Sequence, residues 1–329
     1  MSQEPNQDTN SNPQTLDATS RLIGHARREL GRVIAGQSGA IEEVLIAVLC
    51  QGHALLEGVP GIAKTLLVKA LGQLLGLGFQ RVQATPDLMP ADILGTTILR
   101  PGSESFLFHA GPVFTDLLLV DEINRMPPRT QAALLECMEE RQVTSDGVRR
   151  PLPSWFTVFA TQNPVDFEGT YPLPEAQLDR FLMKTSLGYP DHASTVEILG
   201  ASHTRNHQVE ISPLITPTAV VDMAELAATV HIDPSVLEYV ARIAEETRTS
   251  PLTSLGVSVR GCLALVRASK TWAAAHGRHF VVPDDVKALV EPVLAHRIML
   301  DAEAEFAGTT VASVLGGILA DIAPPERRG

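Results

Sequence analysis

Between an apolar pentamer, HALLE (53–57), and a run with helical spacing of apolar residues, TLLVKALGQLL (65–75), the chain reads GVPGIAKT (58–65). A strand that ends in a glycine-rich turn and opens directly into a helix aims backbone N–H groups and the positive helix end at one point, an anion site. Gly58 and Gly61 allow the tight turn. Lys64 is placed to reach the β- and γ-phosphates of a nucleotide, and the Thr65 hydroxyl to ligate Mg²⁺. The place directly before Lys64, where such loops usually carry a third glycine, is Ala63. An alanine entering a helix at negative φ costs little, so the sequence predicts a working loop. Val59, Pro60, Ile62 and Leu66 complete its nucleotide-contacting stretch.

The same strand-then-helix rhythm recurs. FQRVQA (79–84), LLLV (117–120), FTVFA (156–160) and FLMKTSL (181–187) are short apolar runs, and helical stretches such as RTQAALLECMEER separate most of them. Near-continuous apolar strands alternating with helices predict an α/β domain whose parallel sheet is covered on both faces. Two segments interrupt the rhythm, TTILRPGSESFLFH and QVTSDGVRRPL, and both predict β-hairpins. A helical segment precedes the sheet, broken at Ala35-Gly36. From about residue 190 the strands stop and apolar residues follow helical spacing, which predicts a second, helical domain. The expected organisation is a disordered tail over 1–17, an α/β domain over 18–189 and a helical domain over 190–329.

Composition narrows the setting. No apolar run approaches the roughly 18 residues that a membrane helix needs, so no membrane insertion is expected. Three cysteines far apart, without a CxxC pair, fit a reducing cytoplasm rather than a disulfide framework. The net charge of −12 disfavours a nucleic-acid-coating surface.

Further residues stand where strand ends deliver chemistry. LLLVDE brings Asp121 to the carboxyl edge of the sheet, where it can hold Mg²⁺, and Glu122 beside it can orient and deprotonate an attacking water. Asn163, closing FTVFATQNP, either orients that water or starts an Asn-Pro turn. Arg180, in LPEAQLDRF, either pairs with Asp179 or a nearby glutamate, or enters a neighbouring subunit's site. Arg260, in GVSVRG, starts a helix against the dipole. That makes a local structural role unattractive and suggests a γ-phosphate contact that closes the helical domain over the nucleotide.

In this order and spacing these residues resemble the MoxR family of AAA+ ATPases. EGVPGIAKT, PDLMPADILG (86–95), GPVFTDLLLVDEINRMPPRTQAALLECMEERQVT (111–144) and ATQNPVDFEGTYPLPEAQLDRF (160–181) carry the resemblance, which covers roughly residues 20–320. It implies an AAA+ P-loop domain with a parallel five-stranded sheet and a C-terminal helical lid. Lys64 and Thr65 become the Walker A residues, Asp121 and Glu122 the Walker B pair, Asn163 sensor 1, Arg180 the arginine finger and Arg260 the sensor-2 arginine. Val33 and Ile34, in RVIAGQ, take the adenine side. Val259 stands where many relatives have proline. The resemblance further implies a hexameric ring that hydrolyses ATP with Mg²⁺ to remodel or mature client complexes, or to insert metals or cofactors into them. Such rings often act with a partner carrying a von Willebrand factor A domain. Two other classes remain: a nucleic-acid motor, for which the hairpins offer only Arg100, Arg149 and Arg150, and a nucleotide-binding scaffold that does not turn over.

Overall fold

A computed structural model describes residues 15–59, 61–100, 105–163, 169–201 and 211–325. Most of the expected tail, Pro60 and the Pro-Gly-Ser turn at 101–103 lie outside them. Two helices lead, α1 (Leu16–Val33) and α2 (Ser38–Leu49). Thr15 caps α1 by accepting the Ala18 N–H at 3.2 Å, so the helix starts within the span expected to be tail. The break falls at Ala35-Gly36, where Gly36 takes φ +74°, a conformation glycine adopts without strain.

The α/β part follows as β1 (Ala54–Glu57), α3 (Lys64–Leu74), β2 (Phe79–Gln83), α4 (Pro90–Leu94), β3 (Gly95–Leu99), β4 (Phe106–Ala110), β5 (Leu117–Asp121), α5 (Pro128–Glu140), β6 (Gln142–Ser145), β7 (Val148–Pro151), β8 (Thr157–Gln162), α6 (Glu175–Leu178) and β9 (Met183–Ser186). Strands β2-β5-β8-β1-β9 form one sheet in that order, each neighbour pair parallel. These are the five strands that the apolar runs predict. Their parallel alignment puts every carboxyl end on one edge, where an open α/β sheet binds its ligands.

Strand alternation explains the double cover. Leu117 and Leu119 of β5 join one core with α1, α2 and α3, while Leu118 and Val120 join a second core with α5. All four are fully buried, as a sheet covered on both faces requires.

The two predicted hairpins are present as β3–β4 and β6–β7. They touch: the Arg150 guanidinium sits 3.9 Å over the Phe108 ring, a cation–π contact that ties one hairpin to the other. Phe106 and Leu99 stay exposed on β3–β4, at 74% and 57%.

The remainder is α7 (His192–Ala201), α8 (Pro217–Ala228), α9 (Pro234–Thr249), β10 (Thr253–Leu255), α10 (Val259–Ala275), α11 (Pro283–Leu294), β11 (Met299–Leu300), α12 (Ala302–Phe306) and α13 (Val311–Asp321). The expectation that strands end near residue 190 needs one correction. Thr253–Leu255 pairs antiparallel with Met299–Leu300, a ribbon too short to leave a periodic signature. Nor does the helical bundle keep a core of its own. Residues of α8, α9, α10, α11 and α13 belong to the same buried cluster as α1, α2 and Leu119 of the sheet. No helix among the described residues is long and apolar enough to cross a membrane.

Candidate functional site

The loop after β1 is shaped by residues that only small side chains could replace. A Cβ on Gly58 would lie 2.4 Å from Ile62 Cδ1 and 2.6 Å from the Leu187 carbonyl oxygen, and Gly61 takes φ +84°. Lys64 curls over the loop, its Nζ donating to the Gly58 carbonyl at 2.5 Å and to the Gln162 carbonyl at 3.3 Å. The ammonium is thus held at the junction of β1 and β8, on the carboxyl edge of the sheet.

Ala63 does not enter its helix at negative φ as expected. It has φ 62° and ψ 21°, the left-handed region. There a Cβ crowds the following carbonyl, at about 1–2 kcal/mol. Glycine would remove that strain. Ala63→Gly is therefore expected to keep nucleotide affinity within a few-fold and to stabilise the protein by about 1 kcal/mol. Thermal unfolding checks it, and an unchanged or lowered midpoint would contradict the strain.

Across the loop, the end of β5 supplies the acids. Thr65 Oγ1 donates to Asp121 Oδ2 at 3.0 Å, and Thr161 Oγ1 donates to Asp121 Oδ1 at 2.6 Å. Burial pushes the Asp121 carboxyl up. The hydrogen bonds from Thr161, Arg81 and Thr65 outweigh it, and hold the group below the usual aspartate range. An ionised carboxylate beside a hydroxyl is a hard-oxygen pair of the kind that holds Mg²⁺ together with substrate phosphates. These side chains fit that ion.

Glu122 follows in the left-handed region as well, at φ 59° and ψ 51°. Its N–H donates to Thr161 Oγ1 at 2.9 Å, so one buried threonine orients both acids. Its carboxylate takes Arg125 Nε at 3.0 Å and Gln83 Nε2 at 3.2 Å. Asn163 is buried at the end of β8, one residue past the carbonyl that Lys64 contacts. Val33 and Ile34 end α1. The turn after them reaches the same sheet edge, where Gln37 Nε2 donates to the Gly188 carbonyl at 2.7 Å. Ile34 is buried in the core, and Val33 keeps the accessible surface of the pair.

The two arginines are brought together, but elsewhere. Arg180 Nε lies 2.9 Å and Arg260 Nη2 lies 2.8 Å from the two oxygens of Glu139. Glu139 is near the end of α5, and its neighbour Met138 accepts from His53, the residue before β1. Burial drives the His53 imidazole down to about 4. Neutral His53 takes the Val158 N–H on Nδ1 at 2.9 Å and gives its own proton to the Met138 carbonyl at 3.1 Å. It thereby pins the end of α5 to the amino edge of the sheet. The four residues of β1, about 13 Å of strand, separate this edge from the phosphate loop.

Of the local partners weighed for Arg180, a glutamate takes it, while buried Arg297 takes Asp179 at 2.7 Å. One expectation about Arg260 is corrected. Arg260, capped in the first turn of α10 by Ser258, does have a local partner in Glu139. Its guanidinium meets Glu139 rather than the Gly58–Thr65 loop. Arg180 and Arg260 line a cleft of about 330 Å³ that also exposes Arg267 and Arg141.

Sequence reasoning overlooked Thr161, Arg81, Gln83 and Glu139. A threonine inside a fully buried strand was a signal for the first. Polar residues at i and i+2 of FQRVQ were a signal for the next two. Nothing distinguishes Glu139 from the other acids of ECMEE.

Comparison with known proteins agrees with this geometry. Residues 53–183 match the ATPase family associated with various cellular activities (AAA), and residues 245–316 match the AAA lid domain. The uncharacterized protein YeaC of Bacillus subtilis is 42% identical over 93% of this chain and 96% of its own length. Chaperone MoxR1 of Mycobacterium tuberculosis is 39% identical over 94% of this chain and 84% of its own. Protein MoxR of Methylorubrum extorquens is 32% identical over 87% and 88%. A solved structure from Cytophaga hutchinsonii, provisionally described as an ATPase, superposes with TM-score 0.88 at 38% identity, covering 94% of this chain and 97% of that one. With relatives of this similarity running nearly end to end, and a sheet edge furnished as above, the chain belongs to the MoxR family of AAA+ ATPases.

Proposed function

We propose that this protein hydrolyses ATP at sites shared between neighbouring subunits of a homo-oligomeric ring, six in the expected assembly, and uses the cycle to remodel a client protein complex. One observation carries the shared site. The phosphate loop and acid pair lie on the carboxyl edge of the sheet, while Arg180 and Arg260 lie together on the amino edge. Within one chain the two sets lie on opposite edges, whereas head-to-tail packing, which closes into a ring, would bring both to one phosphate.

In that site Lys64 balances the β- and γ-phosphates. Thr65 and Asp121 would hold Mg²⁺, which would supply neutralisation of phosphate charge. Glu122 accepts the proton of the attacking water, and Asn163 orients it. Val33 takes the adenine side. Arg180 and Arg260 of the next subunit meet the charge that builds on the γ-phosphate. Each is held at rest by a half-exposed ion pair worth about 1 kcal/mol or less, so Glu139 gives them up readily. Mixing Lys64→Ala protein with Arg180→Ala protein tests the arrangement. One supplies intact arginines and the other an intact loop, so phosphate release should rise above either alone. Mixed rings, verified by mass, that stay silent would contradict it.

The exposed apolar hairpin β3–β4 is the surface offered to a client, and its coupling to β6–β7 through Arg150 uses a cation that a nucleic acid would need. This, with the net charge of −12, favours a protein client over DNA or RNA. Maturation of the client, or insertion of a metal or cofactor into it, is the proposed use, with a von Willebrand factor A domain protein as partner in the cytoplasm. Partner affinity is expected to be higher for the ATP-trapped Glu122→Gln protein than for the ADP state, by roughly 1–3 kcal/mol. Titration calorimetry in both states checks it, and equal affinities would remove the coupling.

A further inference from the structure

Arg81 sits directly on the acid pair, yet no role above uses it. It lies on β2, two residues before Gln83, which is the register partner of Asp121. Its Nη2 is 2.7 Å and its Nε 3.2 Å from Asp121 Oδ2. The same oxygen accepts the Thr65 hydroxyl. Arg81 Nη2 also donates to Gln83 Oε1 at 2.6 Å, and Gln83 Nε2 donates to Glu122 Oε2. One polar chain therefore runs from Thr65 through Asp121, Arg81 and Gln83 to Glu122.

Three donors saturate Asp121 Oδ2. A Mg²⁺ ion, or the water through which Asp121 would hold it, needs an oxygen on the side facing Thr65, within a small and demanding octahedron. The guanidinium and the ion therefore compete for one atom, and both are positively charged. Arg81 can withdraw: its side chain is 46% exposed on an edge strand, and its long apolar stem lets the head move into water. Asp121, 12% exposed, cannot follow it.

We propose that Arg81 is a positioning residue that holds the metal-facing oxygen of Asp121 and yields it to the metal–nucleotide complex, so that it sets the metal concentration at which the site loads. The proposal rests on the reading that Thr65 and Asp121 take Mg²⁺ with ATP. Withdrawal of Arg81 also frees Gln83 from its second contact, which ties loading to the surroundings of Glu122.

The test titrates Mn²⁺ into full-length protein with ATP and follows bound ion by electron paramagnetic resonance, without reference to turnover. Arg81→Ala and Arg81→Gln should load at about three- to five-fold lower Mn²⁺ than the parent, the scale of a half-exposed ion pair. Arg81→Lys, which restores the charge, should move the midpoint back toward the parent. Thermal unfolding separates this from simple support of the fold. Arg81→Gln should lose stability in EDTA but match the parent with Mn²⁺ and ATP, whereas a purely structural arginine would lower both midpoints alike. Unchanged or higher loading midpoints for both neutral variants would overturn the proposal. So would weaker ATP binding by them at saturating Mn²⁺, which would put the guanidinium on a phosphate. Asp121→Asn separates the underlying reading: if it loads Mn²⁺ as the parent does, the metal is not held at Asp121 and the assignment of the metal site itself falls.

Discussion

Arg180→Ala protein is expected to bind ATP as tightly as the parent and to release phosphate about 10³-fold more slowly. Binding should survive because Arg180 is at the amino edge of the sheet, remote from the Gly58–Thr65 loop of its own chain. Hydrolysis should not, since a guanidinium that meets the transferring phosphoryl group acts chiefly on the transition state. The fold should be indifferent to the change, because Glu139 keeps Arg260 at 2.8 Å and the lost pair is at the surface. Phosphate release, nucleotide binding and a thermal midpoint measured together check all three parts. Parental turnover by Arg180→Ala would withdraw the arginine from the chemistry.

Glu122→Gln should divide binding from hydrolysis at the other edge, lowering turnover by about 10²–10⁴-fold while ATP remains bound. Glutamine has the size and the backbone freedom of glutamate, so the left-handed residue after β5 stays as it is. The Glu122 N–H to Thr161 does not depend on a carboxylate, and an amide oxygen still accepts from Arg125 although the ion pair is lost. What the amide cannot do is accept the water's proton. A stopped-flow measurement of nucleotide binding beside steady-state phosphate release checks the split, and turnover at the parental rate would exclude Glu122 as the base.

How far these residues could be read in advance depended on whether their signal was local. Five apolar runs and two turn-centred interruptions are local features, and each became the strand or hairpin it suggested. The loop, Asp121 and Glu122 were legible because a parallel sheet sends every strand end to one edge. The contact of Arg260 with Glu139 was not legible, for the converse reason. Nothing in the sequence around a lid helix tells which end of a distant sheet it packs against, and α10 meets the amino edge. Ala63 was misjudged because helical context favours negative φ, whereas Ala63 is the cap through which the loop turns into α3 and takes φ 62°. The β10–β11 ribbon was too short to show a period of two.

The buried seam beneath the lid bears on how force is delivered. Arg297 is 6% exposed and donates to the carbonyls of Leu182 and Phe181, while His296 meets the Phe181 carbonyl beside it. Around that seam the lid helices continue the apolar core of the sheet. Domains joined by a large apolar contact do not swing freely, and opening this one would strand a guanidinium without its acceptors. In the ring proposed above, motion would then not be a jaw closing within one chain: each protomer would act as a rigid wedge, with nucleotide turnover changing the angle between wedges.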